Sequence, residues 1–122
     1  MGTIKQPQDH LPKVEKPKVE SVEVEVGEGD GARTVPAKRT TIQGITVTVT
    51  DEALDDFELL DDLHAIDVDK NASRFPSLLR RLIGDDYKAV MDGLRDKATG
   101  RVKVMSGTKF IRELLGALNP NS

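Results

Sequence analysis

The residues most capable of chemistry crowd into one stretch. Between Asp51 and Asp69 stand nine carboxylates with no Lys or Arg, and between Lys70 and Arg81 stand four basic residues with no acid. Clustered carboxylates can seat a cation or divide the roles of acid and base. Asp67, Asp69 and Asn71 fall where the first three side-chain ligands of a calcium loop would be. Such a loop needs Gly for its sharp turn and a bidentate Glu at its end, and this chain supplies Ala72 and Leu78 there. Catalysis would further require a His, a thiol or a phosphate-cradling loop converging on the acids. His10 and His64 lie far apart, and the Gly-rich GEGDG of residues 27–31 neither follows a clear strand nor opens a helix. Arg74, Arg80 and Arg81 could hold phosphate, but no aromatic residues interleave with them, and pairing with the neighbouring acids is the simpler role. The expectation is therefore no enzyme, no catalytic residue, no metal and no cofactor, and an acidic helix face turned to water.

Composition sets the same bounds. The chain has 122 residues, a net charge of -3, 37% hydrophobic and 32% charged residues, and no Cys. Those values fit a small globular domain, exclude a disulfide framework, and give no global attraction to nucleic acid or to an anionic membrane. No apolar run approaches the ~18 residues of a membrane span, and the N-terminus lacks the apolar core of a signal peptide. Neither nucleic acid nor membrane is expected as a partner.

The elements that must position these residues follow from hydrophobic periodicity. Residues 1–40 carry Pro7, Pro12, Pro17, Pro36 and GEGDG, with no recurring large apolar residue. They read as a disordered or weakly structured tail, with one candidate strand over 21–26 where Val and Glu alternate. Residues 41–118 read as a helical domain that opens on a strand over 42–49. Gly44 either turns a hairpin there, or the strand pairs with Val22–Val26. Thr50 is placed to cap a first helix carrying Phe57, Leu60 and Leu63, with Asp51, Asp55, Glu58 and Asp62 opposite. A second helix starts at Pro76, carries Leu78, Leu79, Leu82 and Ile83, and stops at Gly84. A third is capped near Asp85 and carries Tyr87, Val90, Met91, Leu94 and Ala98. After an extended link, a fourth is capped at Ser106 and carries Phe110, Ile111, Leu114, Leu115 and Leu118; residues 119–122 form the C-terminal end. The fold class expected is mainly α: a bundle of about four short helices after a β-strand or β-hairpin, with a disordered N-terminal tail.

Taken in order, DDFELLDDLHAID, FPSLLRRLIGDDYKAVMDGLRDKATGRVKV and FIRELLGALNPNS resemble the tail assembly chaperones of long-tailed bacteriophages and related prophages. The likeness covers about residues 40 to 122. It implies a small protein made in the cytoplasm of the bacterial host and absent from the mature virion. It further implies binding to the tape measure protein, hand-over to the tail tube protein as the tube polymerises, and translation as the shorter product of a frameshifted pair. A client of that kind presents long apolar helical surface, so Phe57, Leu60, Leu79 and Leu114 are the expected partner contacts, shared with a second copy if the chain self-associates. The plainer alternative makes all of them core, as stripe residues usually are. A virion structural protein, such as a head–tail connector or minor tail component, is the alternative function. A small DNA-binding regulator would need a helix with a clean basic face, which no stripe supplies.

Overall fold

A computed structural model describes residues Lys18–Asn119. The expectations that fall on residues 1–17, His10 among them, and on 120–122 lie outside the described residues. The elements run β1 (Val19–Val26), β2 (Arg33–Ile42), β3 (Ile45–Thr50), α1 (Asp51–Leu54), α2 (Phe57–Asp67), α3 (Phe75–Ile83), α4 (Tyr87–Leu94) and α5 (Val104–Leu118). The strands form one antiparallel sheet in the order β1-β2-β3. The described chain is 55% helix and 24% strand, so the fold is mixed α/β, which corrects the expected mainly α bundle with a disordered tail.

The correction lies in residues 19–42. Val24 pairs with Val35 and Val22 with Ala37, so the alternating valines of β1 meet apolar partners across the hairpin. GEGDG is the hairpin loop rather than a break: Gly27 has φ 87°, and a Cβ there would stand 2.6 Å from the Gly31 carbonyl oxygen. Pro36 argues against a central strand because it lacks a ladder donor. It is tolerated because β3 pairing begins only at Ala37 with Thr50, so Pro36 has no β3 neighbour. Of the two open readings of residues 42–49 the hairpin holds, since Gln43 and Gly44, each with positive φ, turn β2 into β3; Val22–Val26 pairs instead with residues 33–37 along the other side of β2.

Helices cover one face of this sheet. Val47 and Val49 of β3 and Ile42 of β2 point into a core completed by Leu78, Leu79 and Leu82 of α3, Val90 of α4, and Phe110, Ile111 and Leu114 of α5. α3 and α4 pack against β3 and α5 against β2, whereas α2 rests on α3 as an outer helix. The α3–α4 junction is pinned to the sheet edge by Asp86, whose carboxylate accepts the Thr48 backbone N–H at 2.9 Å. Buried Thr40 donates its hydroxyl proton to the Lys18 carbonyl at 2.8 Å.

Several expected boundaries shift for local reasons. Thr50 does cap a helix, accepting from Ala53 N at 3.0 Å, but that helix ends after one turn. Asp56 then caps α2 by accepting from Glu58 N and Leu59 N. This restart changes the phase: Leu59 and Ala65 are buried, while Phe57 and Leu60 turn outward. α4 ends at Leu94 because the Asp96 carboxylate accepts Ala98 N at 2.7 Å in a tight turn, which leaves Ala98 exposed. α5 starts at Val104 without a side-chain cap, so Ser106 lies inside it.

Candidate functional site

The charged stretch resolves into a clamp between α2 and α3. Asp62, expected on a solvated face, is 2% exposed. Its carboxylate accepts from Arg74 Nε at 2.7 Å and from Ser77 Oγ at 2.7 Å, with Arg81 Nε at 3.5 Å. Arg74 also reaches Asp61 at 2.8 Å, and Arg81 reaches Glu58 at 3.1 Å. Burial pushes the Asp62 carboxyl up, but the Ser77 hydroxyl and the Arg74 and Arg81 guanidiniums outweigh it and hold the group below its ordinary range. Arg80, which points away from this cluster, stacks on the Tyr87 ring at 4.5 Å.

The arrangement has the chemistry of a structural tie. The Asp62 oxygens are taken up by Arg74 Nε and the Ser77 hydroxyl, with Arg81 Nε beside them at ion-pair distance only. Among the described residues no group of three or more His, Asp or Glu side chains could hold a metal ion. The calcium-loop imitation is used locally instead: Asn71 Oδ1 accepts from Ser73 N at 3.2 Å, and Lys70 Nζ donates to the Asp67 carbonyl at 2.7 Å. His64 is exposed on α2. No described helix is long and apolar enough to cross a membrane.

What the surface offers is apolar area. The expected partner residues divide: Phe57 is 86% and Leu60 is 56% exposed, whereas Leu79 is 1% exposed and Leu114 is fully buried. Leu114 faces the sheet and can meet no partner without unfolding. Leu79 forms the floor of a groove of about 340 Å³ between α3, α4 and the start of α5, walled by Phe75, Pro76, Tyr87, Met91 and Val102. Val104 also lines it and is 78% exposed, while its neighbour Met105, which does not line it, is 81% exposed. Sequence reasoning placed both in the extended link before Ser106 and missed them as surface. The available signal was the pair of apolar residues outside the Phe110–Leu118 stripe.

Searches of protein-family models, curated proteins and solved structures find no match to this chain.

Proposed function

We propose that this protein is a tail assembly chaperone of a long-tailed bacteriophage or prophage, and that it binds the tape measure protein through the groove between α3, α4 and α5. The observation that carries the reading is this groove, with Phe75, Pro76, Leu79, Tyr87, Met91 and Val102 on its walls and floor, in a small domain whose charged cluster at Asp62 is an internal tie. An amphipathic helix lays its apolar edge into such a groove, with side chains spaced three and four apart filling successive subsites. A chaperone must hold such a segment and then release it. A shallow site of about 340 Å³ suits weak, reversible binding better than a deep pocket would. The resemblance of DDFELLDDLHAID and the segments after it to this family supports the same role. The protein would then act in the cytoplasm of the bacterial host, pass its client to the polymerising tail tube, and stay out of the finished particle.

The reading is tested by co-expression with fragments of the tape measure protein. The expected result is co-purification and a higher soluble yield of the fragment, both lost with Met91→Lys or Thr108→Arg, which charge or block the groove. Thermal melts of these variants establish that the fold is retained. If both variants keep binding, the groove is the wrong surface. Mass spectrometry of purified particles separates the alternative: a virion structural protein is present in stoichiometric amounts and a chaperone is missing.

A further inference from the structure

We propose that two copies of this chain associate face to face, with the outer face of α2 in each copy lying over the first half of α5 in the other. Two exposed apolar patches of opposite electrostatic character motivate this. On α2, Phe57 and Leu60 lie three residues apart on one face, rimmed by Asp55, Glu58 and Asp61. Glu58 and Asp61 remain 73% and 68% exposed despite their ties to Arg81 and Arg74, and Asp55 has no ion pair among the described residues. On α5, Val104 and Met105 share a shallow depression with Lys109 and Arg112. Lys109 and Arg112 pair with no carboxylate among the described residues, and Glu113, which lines the same depression, accepts instead from Gln43 Nε2 at 3.1 Å.

Each patch is thus apolar at its centre, and the charge at its rim matches the other patch and opposes itself. An α2–α2 contact would set acid against acid, and an α5–α5 contact would set cation against cation, so complementarity selects α2 against α5. Arg112 of the α5 patch also lines a second depression, whose other side carries His64, Asp67 and Val68 at the end of α2. A two-fold arrangement in which both contacts form at once closes the assembly as a dimer. Phe57, the largest exposed apolar side chain, would be its central anchor. The inference stands whether or not a tape measure protein is the client.

Sedimentation velocity on the full chain over a range of concentrations tests it. The expected result is a monomer–dimer equilibrium that weakens as salt is raised. Phe57→Ser and Met105→Ser, both at highly exposed positions and so expected to fold, should each weaken association by about tenfold or more. An equimolar mixture of the two variants should dimerise better than either alone, because the mixed dimer retains one intact contact between the α2 of Met105→Ser and the α5 of Phe57→Ser. Lys109→Glu should weaken association as well. A chain that is monomeric at every concentration overturns the proposal. So does a dimer that neither variant weakens, or a mixture that associates no better than its components.

Discussion

Replacing Asp62 with Ala should cost about 2–3 kcal/mol at neutral pH, although the residue sits on a helix whose carboxylates read as surface. Its two oxygens are bound by Arg74 Nε and Ser77 Oγ, each at 2.7 Å, with Arg81 close behind. Removing one member of a buried ion cluster costs about 3–5 kcal/mol when the remaining charge is stranded. Here the guanidiniums are not fully stranded: Arg74 keeps Asp61 and is 34% exposed, and Arg81 keeps Glu58 and is 33% exposed. The Ser77 hydroxyl does lose its acceptor, and the buried Arg81 Nε loses the carboxylate that stands 3.5 Å from it. Asp62→Asn preserves shape and one acceptor, and should lose about half as much. The pH dependence has a definite sign. A carboxyl held below its ordinary range stabilises the fold above the unfolded value, near ~3.9, and that stability is lost as pH falls through the folded value. The gap between wild type and Asp62→Ala should therefore be full at pH 7 and close in strongly acid solution. Urea unfolding followed by far-ultraviolet circular dichroism at both pH values measures it. A gap below about 0.5 kcal/mol at pH 7, within the range of ordinary surface changes, would refute the tie.

The other expected residues separate by the same assay. Leu79→Ala and Leu114→Ala should each lose about 2–5 kcal/mol by cavity formation, while Phe57→Ser and Leu60→Ser should stay within about 0.5 kcal/mol. Gln43→Asn should raise stability by about 0.5 kcal/mol, because Asn accepts the left-handed conformation (φ 53° here) more readily than Gln, as thermal melting would register. Gly27→Ala should lower stability by at least about 1–2 kcal/mol, since its Cβ would meet the Gly31 carbonyl in a left-handed turn; native-state hydrogen exchange would show the loss concentrated in the β1–β2 hairpin.

Much of the helical half was legible. The α3 stripe of Leu78, Leu79, Leu82 and Ile83, its proline start and its Gly84 stop leave one solution, and so does the Phe110–Leu114 face of α5. Of residues 19–42 only the strand over 21–26 was, because the rest of the strand signal depends on a partner. Val22 and Val24 find apolar neighbours only once Val35 and Ala37 are folded back upon them, and Pro36 and GEGDG argue locally for loop. β pairing is nonlocal, so periodicity within one segment cannot reveal it. The site was half legible for a related reason. Phe57, Leu59, Leu60 and Leu63 make too many apolar positions for one stripe, and which of them face inward depends on where the helix begins. Asp56, rather than Thr50, sets that start for α2, and it turns Phe57 outward and Asp62 inward. Pairing of the arginines with the acids of the preceding helix was expected, and Arg74 and Arg81 make it; that it would bury Asp62 was not, because the acids read as one solvated face.

The central claim is that the groove over Leu79 holds an apolar helical segment of a tape measure protein. The most direct measurement is a titration of the purified chain, labelled with 15N, with a tape measure fragment, read by amide chemical shifts. Saturable shifts confined to the groove walls at Phe75, Tyr87, Met91, Val102 and Thr108 are expected, with the β1–β2 hairpin unmoved. Shifts centred on that hairpin, or none at concentrations where the fragment would otherwise aggregate, would contradict it.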